Sequence, residues 1–116
     1  MNNKSKGNLG ETIATEYLQS LGYKILERNW RYSRFGEIDI IALDKNVLVF
    51  VEVKARRGLG FGHPFEAINE KKVQQVRNIA QAYMSQKDCN YKKCRLDGIS
   101  VILSNPPEIE HLKNIF

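Results

Sequence analysis

Val47-Leu48-Val49-Phe50-Val51-Glu52-Val53-Lys54 is the stretch on which the fold turns. Its first half is an uninterrupted apolar run, as expected of a hydrophobic strand. Charge then enters at every second position. Side chains two apart in an extended chain share a face, so the Glu52 carboxylate and the Lys54 ammonium emerge together. An ion that closes an apolar strand needs a partner or a task, because burying it unpaired is costly.

Working outward, Gly36-Glu37-Ile38-Asp39 opens the preceding strand and brings a second acid, Asp39. Extended runs are expected over Tyr23–Asn29, Glu37–Leu43 and Val47–Ala55. The polar turn Asp44-Lys45-Asn46 makes the last two a hairpin. Before them, Leu9, Ile13, Ala14, Tyr17, Leu18 and Leu21 keep helical spacing, and Gly22 supplies the stop, so a helix is predicted over Leu9–Leu21. After them, the glycine-rich stretch Arg56–Pro64 is too flexible for regular structure. A second helix follows over Glu70–Gln86, with Asn69 as N-cap and Val73, Val76, Ile79, Ala80, Tyr83 and Met84 as its buried stripe. A fourth strand covers Cys94–Leu103, Ser104-Asn105-Pro106-Pro107 breaks it, and a short strand closes over Ile109–Leu112. The order α-β-β-β-α-β, with that closing strand, predicts an α/β fold with a mixed sheet flanked by helices.

The 116 residues are expected to form one domain, residues 1–116, with a modest core. No apolar run approaches the roughly 20 residues of a membrane-spanning helix. The charged N-terminus leads into no apolar segment, so no signal peptide is read and a cytoplasmic protein is expected. The net charge is +5 and the pI near 9.3, which suits a polyanionic partner. Cys89 and Cys94 lack metal-site spacing and read as free thiols.

Asp39, Glu52 and Lys54 together suit one chemistry. Phosphodiester hydrolysis needs an activated water and a leaving oxygen relieved of charge, and Mg²⁺ (or Mn²⁺) held by a few carboxylates supplies both. Asp39 and Glu52 are the expected metal ligands, the Val53 carbonyl a third oxygen, and Lys54 the group that orients the water or stabilises the transition state. Glu37 shares a strand face with Asp39 and is a further candidate. The alternative is that Glu52 and Lys54 form a solvated surface pair.

Glu11 has two readings. Asn8 and Glu11 have capping-box spacing; equally, Glu11 lies about 20° from Leu18 on the helical wheel and would point toward the sheet edge. Lys72 falls in the apolar arc of the second helix, either to snorkel to solvent or to contact a phosphate. Arg28, Arg31, Arg34, Arg56 and Arg57, interleaved with Trp30, Tyr32 and Phe35, suit phosphate contact and base stacking. Arg31, Arg34, Arg56, Arg57 and Lys72 are the nucleic-acid-binding candidates. The Gly58-x-Gly60-x-Gly62 loop lacks the Lys-Ser/Thr of a phosphate-binding loop. His63 and His111 are isolated and receive no metal role.

These residues amount to a pattern. Gly7-x-x-Gly10-Glu11-x-x-Ala14, Gly22-Tyr23-x-Ile25-x-x-x-Asn29-Trp30-Arg31, Gly36-Glu37-Ile38-Asp39-x-Ile41-Ala42, Val49-Phe50-Val51-Glu52-Val53-Lys54-x-Arg56 and His111-Leu112-x-Asn114-x-Phe116 resemble, over almost the whole chain, the bacterial YraN-like family. That family looks like a member of the PD-(D/E)xK nuclease superfamily, closest to Holliday-junction resolvases. The resemblance implies a restriction endonuclease-like core and an active-site set of Glu11, Asp39, Glu52 and Lys54, with Ile38 where the superfamily pattern has Pro. It implies a Mg²⁺-dependent DNA endonuclease for branched or damaged DNA, and a homodimer for cutting two strands. The competing readings are a non-catalytic nucleic-acid-binding module of the same fold and a protein-docking module using the same basic face.

Overall fold

The computed structural model describes residues 3–57, 70–86 and 93–115, leaving aside the side chains of residues 3–7 and 35. The glycine-rich stretch 58–64 with His63, the Asn69 cap, Cys89 and Phe116 lie outside the described residues.

Helix α1 (Asn3–Ser20) leads into β1 (Lys24–Arg31), a short 3₁₀ turn at Ser33–Phe35, β2 (Glu37–Asp44), β3 (Val47–Arg56), α2 (Glu70–Gln86), β4 (Lys93–Ile102) and β5 (Glu108–Leu112). The strands form one sheet in the order β1-β2-β3-β4-β5. β3 and β4 run parallel through the α2 crossover, and the other neighbours are antiparallel. The α/β class, the mixed sheet and the element order all follow the sequence expectation, including the closing strand, and match a restriction endonuclease-like core. Among the described residues no helix is long and apolar enough to cross a membrane.

The alternating pattern of β3 works as read. Val49 and Val51 join Ala14 and Leu18 of α1, with Ile40, Ile99 and Val101, in one core. Leu48 and Phe50 join Val76, Ile79, Ala80 and Tyr83 of α2, with Ile38 and Ile41, in the other. The sheet is therefore buried on both faces. At roughly 1.5–3 kcal/mol per fully buried large apolar side chain, these two cores outweigh the cost of burying a few polar groups beside them. Within the expected stripe of α2, Val76, Ile79, Ala80 and Tyr83 are buried, whereas Val73 and Met84 are only half-buried.

Two details of α1 correct the sequence reading. The helix begins near Asn3 rather than Leu9, so Asn8 lies inside it and the Asn8–Glu11 capping box does not form. Polar residues without proline cost a helix little, and continuing it satisfies backbone groups that a start at Leu9 would leave open. Gly10, normally unfavourable in mid-helix, is required by packing: a Cβ there would lie 2.5 Å from Ala55 Cβ. The bare glycine lets α1 settle onto the far end of β3, which brings the adjacent Glu11 to the sheet.

Candidate active site

The β2–β3 hairpin sets the site. Its ladder runs from Asp44↔Val47 to Ile40↔Val51 and then ends, although both strands continue. One further step in that register would set Asp39 beside Glu52. At this point β2 breaks alternation: Ile38 joins the α2 core together with Ile41, while Ile40 faces α1. Asp39 is thereby turned into the opening between the strands, where its Oδ2 accepts the Val53 N–H at 2.7 Å. A side chain has taken the place of a ladder acceptor. Val53 thus contributes its N–H to Asp39.

Glu52 and Lys54 share the α2 side of β3, as the period-two reading requires, with Nζ 4.0 Å from the Glu52 carboxylate. Lys72, from the first turn of α2, approaches the other Glu52 oxygen at 3.5 Å. Of the two readings of Lys72, the one that reaches the site describes its position. Glu11 comes from the α1 side. Its Oε1 is buried without a hydrogen-bond partner among the described residues.

The acids feel one another. Burial, followed by the neighbouring carboxylates of Glu52, Glu11 and Glu37, pushes Asp39 up to about 7 against the opposing pull of the Val53 N–H. Burial likewise raises Glu11, opposed by the Arg28 guanidinium and a hydrogen bond from Asn29 and reinforced by Glu37. This is the behaviour of carboxylates crowded in a poorly solvated place. Among the described residues, however, no three carboxylate, imidazole or thiol groups converge closely enough to hold one ion together.

The basic candidates are more dispersed. Arg31 ends β1 opposite Glu37, Arg34 lies in the 3₁₀ turn, Arg56 ends β3 and Arg57 follows it. All are exposed except the half-buried Arg56. Arg28 reaches α1 instead, donating to Thr12 Oγ1 at 3.3 Å. Trp30 and Tyr32 stack with parallel planes, their centroids 6.1 Å apart.

The sequence profile described as "Uncharacterised protein family UPF0102" matches residues 10–101, a span that includes Glu11, Asp39, Glu52, Lys54 and Lys72. The chain belongs to the UPF0102 family. It is 46% identical to the UPF0102 protein of Dictyoglomus turgidum, with both chains fully covered. It is 49% identical to that of Persephonella marina over 96% of this chain and 92% of the relative, and 43% identical to that of Nocardia farcinica over 95% and 87%.

In this UPF0102 protein the residues fit a hard divalent cation by the nature of their donors. Mg²⁺ asks for one or two carboxylates and keeps several waters, which Asp39 and Glu52 would meet, with the orphaned Glu11 Oε1 as a further oxygen. A cation there would also offset the mutual repulsion of Asp39, Glu52 and Glu11.

Sequence reasoning overlooked a second polar cluster in the same sheet. Asp97 of β4 is fully buried. It accepts His111 Nε2 at 2.7 Å, Arg95 Nε at 3.0 Å and the Asn114 N–H at 3.0 Å. Arg95 also bonds Asp44 at 3.2 Å and the Tyr23 hydroxyl at 2.6 Å. An ionised carboxylate only accepts, so His111 Nε2 carries hydrogen; in the neutral ring, Nδ1 then accepts the Tyr17 hydroxyl at 3.2 Å. The signal was available: Leu96-Asp97-Gly98-Ile99 is another charge in an apolar strand, open to the argument applied to Glu52.

Proposed function

We propose that this protein is a cytoplasmic, Mg²⁺- or Mn²⁺-dependent DNA endonuclease of the PD-(D/E)xK type, hydrolysing phosphodiester bonds with branched or damaged DNA as its preferred substrate. The observation that carries the reading is Asp39. A carboxylate is held between two diverging strands by a backbone N–H and crowded by other acids, of which Glu52 draws in Lys54 and Lys72. A purely structural site would pair that charge rather than crowd it.

In this mechanism Asp39 and Glu52 would hold the ion, and Glu11 would supply a further oxygen to it or to a water. The ion, when bound, lowers the pKa of that water and offsets charge on the leaving oxygen. Lys54 leaves Glu52 for the scissile phosphate, where an ammonium stabilises the extra negative charge of the transition state. Lys72 neutralises Glu52 before loading and contacts the phosphate afterwards. Arg31, Arg34, Arg56 and Arg57 hold the flanking backbone, which carries affinity but no sequence information.

The test is cleavage of labelled linear, single-stranded, flapped and four-way DNA with Mg²⁺ or Mn²⁺, beside Glu52→Ala and Lys54→Ala. Structure-selective cutting that falls at least about a hundredfold in both variants is expected, in line with the loss of a key electrostatic group. Cutting that survives both variants would sink the assignment.

A non-catalytic nucleic-acid-binding module is the second reading. It is favoured by the lysines that already neutralise Glu52 and by the lack of a converged ligand triplet. It expects salt-sensitive binding, since counterion release drives such association, without cutting under any metal.

A further inference from the structure

β1 has an irregularity beside the acidic cluster. Asn29 has φ +53°, the left-handed region, in the middle of a strand. Asparagine tolerates that conformation better than most residues, yet it still carries strain, and strain beside a site invites a functional account. The β1–β2 register pairs Arg28 with Ile40 and Trp30 with Ile38, so Asn29 stands opposite Asp39. Adjacent residues of β1 then grip adjacent residues of α1. Arg28 donates to the Thr12 hydroxyl, and the Asn29 side chain comes close enough to the Glu11 carboxyl to favour its charged form. The other oxygen of that carboxyl, Oε1, is buried and has no hydrogen-bond partner among the described residues.

We propose that Asn29 is a positioning residue: its left-handed backbone aims its amide at Glu11 and holds that carboxyl beside Asp39. The inference rests on the nuclease reading for its purpose, but its geometry is independent of it. Glu11 arrives on a helix and Asp39 on a strand. Asn29, opposite Asp39 and beside Glu11, is the group that links them.

The experiment is direct titration of the purified protein with Mn²⁺, without DNA, for the wild type, Asn29→Gly, Asn29→Ala, Glu11→Gln and the double variant Asn29→Gly/Glu11→Gln, with chemical unfolding of each. Glycine keeps the left-handed backbone and removes the amide; alanine removes the amide and keeps the strain. If Asn29 positions Glu11, Asn29→Gly weakens Mn²⁺ about tenfold while its unfolding midpoint stays near the wild type's. The weakening disappears when Glu11 is already Gln. A residue that only shapes the strand gives the opposite order, with glycine harmless to Mn²⁺ binding and alanine harmful to folding, and that result overturns the proposal. So does an Asn29→Gly loss that persists unchanged in the Glu11→Gln background. If the wild type binds no Mn²⁺, the nuclease reading fails, and unfolding alone decides the positioning: midpoint shifts of Asn29→Gly and Glu11→Gln that do not add support it, and shifts that add refute it.

Discussion

Asp39 and Asp97 are two aspartates withdrawn from water in the same sheet, on strands either side of β3, and their surroundings treat them in opposite ways. Both lose solvation. Asp97 regains it through His111, the Asn114 N–H and Arg95, and despite its burial it is held below the ordinary carboxylate range. Asp39 has one N–H donor and a ring of acids, and is pushed up to about 7. The pair separates a carboxylate surrounded by donors from one surrounded by other acids. Desolvation is common to both; the sign of the nearest charges decides the outcome.

The largest expected effect breaks the finished site. Asp97→Ala leaves Arg95, His111 and the Asn114 N–H facing an apolar gap, and a broken buried pair costs about 3–5 kcal/mol. Urea unfolding should register that loss at neutral pH. Because the Asp97 pKa is lowered on folding, its contribution is present above its ordinary value of 3.8 and is lost as pH falls through the still lower folded value. The difference between wild type and Asp97→Ala should therefore shrink in acid.

Asp39→Asn should move the other way. Here the folded pKa, about 7, exceeds the ordinary 3.8. The folded protein holds the proton more tightly, so the favourable term is present below pH 3.8 and disappears as pH rises through 7. Measured in chelator, Asp39→Asn should gain on the wild type across that window, by up to about 4 kcal/mol at its alkaline end. Adding Mn²⁺ at pH 8 should raise the wild-type unfolding midpoint and leave that of Asp39→Asn unmoved. A stability difference that is flat with pH would place Asp39 with Asp97 and end the contrast.

Gly10→Ala tests the packing that carries Glu11. Its new methyl would lie within 2.5 Å of Ala55 Cβ, an overpacking of about 1–3 kcal/mol. Unfolding should show that loss, and Ala55→Gly in the same chain should recover part of it. The smallest effect belongs to Tyr17→Phe, which removes only the hydroxyl on His111 and should cost about 0.5–1.5 kcal/mol by thermal unfolding.

How far each region could be read in advance follows from sequence distance. Glu52 and Lys54 are two apart on one strand, and Asp39 comes opposite them across a two-residue turn, so periodicity and hairpin register alone bring them together. Lys72 and Glu11 needed more. Helical phase placed each near the sheet, but the contact of Lys72 with Glu52 depends on the parallel crossover, and the approach of Glu11 depends on Gly10 meeting Ala55. The Asp97 cluster was missed because its partners Tyr17, Tyr23, Asp44 and His111 come from separate elements, and none has a local pattern that names the others. Asn29 was noticed only as part of a motif, since a left-handed residue inside a strand leaves no periodic trace.

By itself, then, the sequence determined the α/β class, the order of elements, the apolar strand at 47–54 and the shared face of Glu52 and Lys54. These depend on periodicity and short connections, which are local. The tertiary structure alone decided which buried charges found partners. It opened the β2–β3 ladder so that Asp39 met the Val53 N–H, and it closed His111 and Arg95 around Asp97. The physical reason is that the energy of a buried charge is set by neighbours within a few ångströms, and folding draws those neighbours from distant parts of the chain.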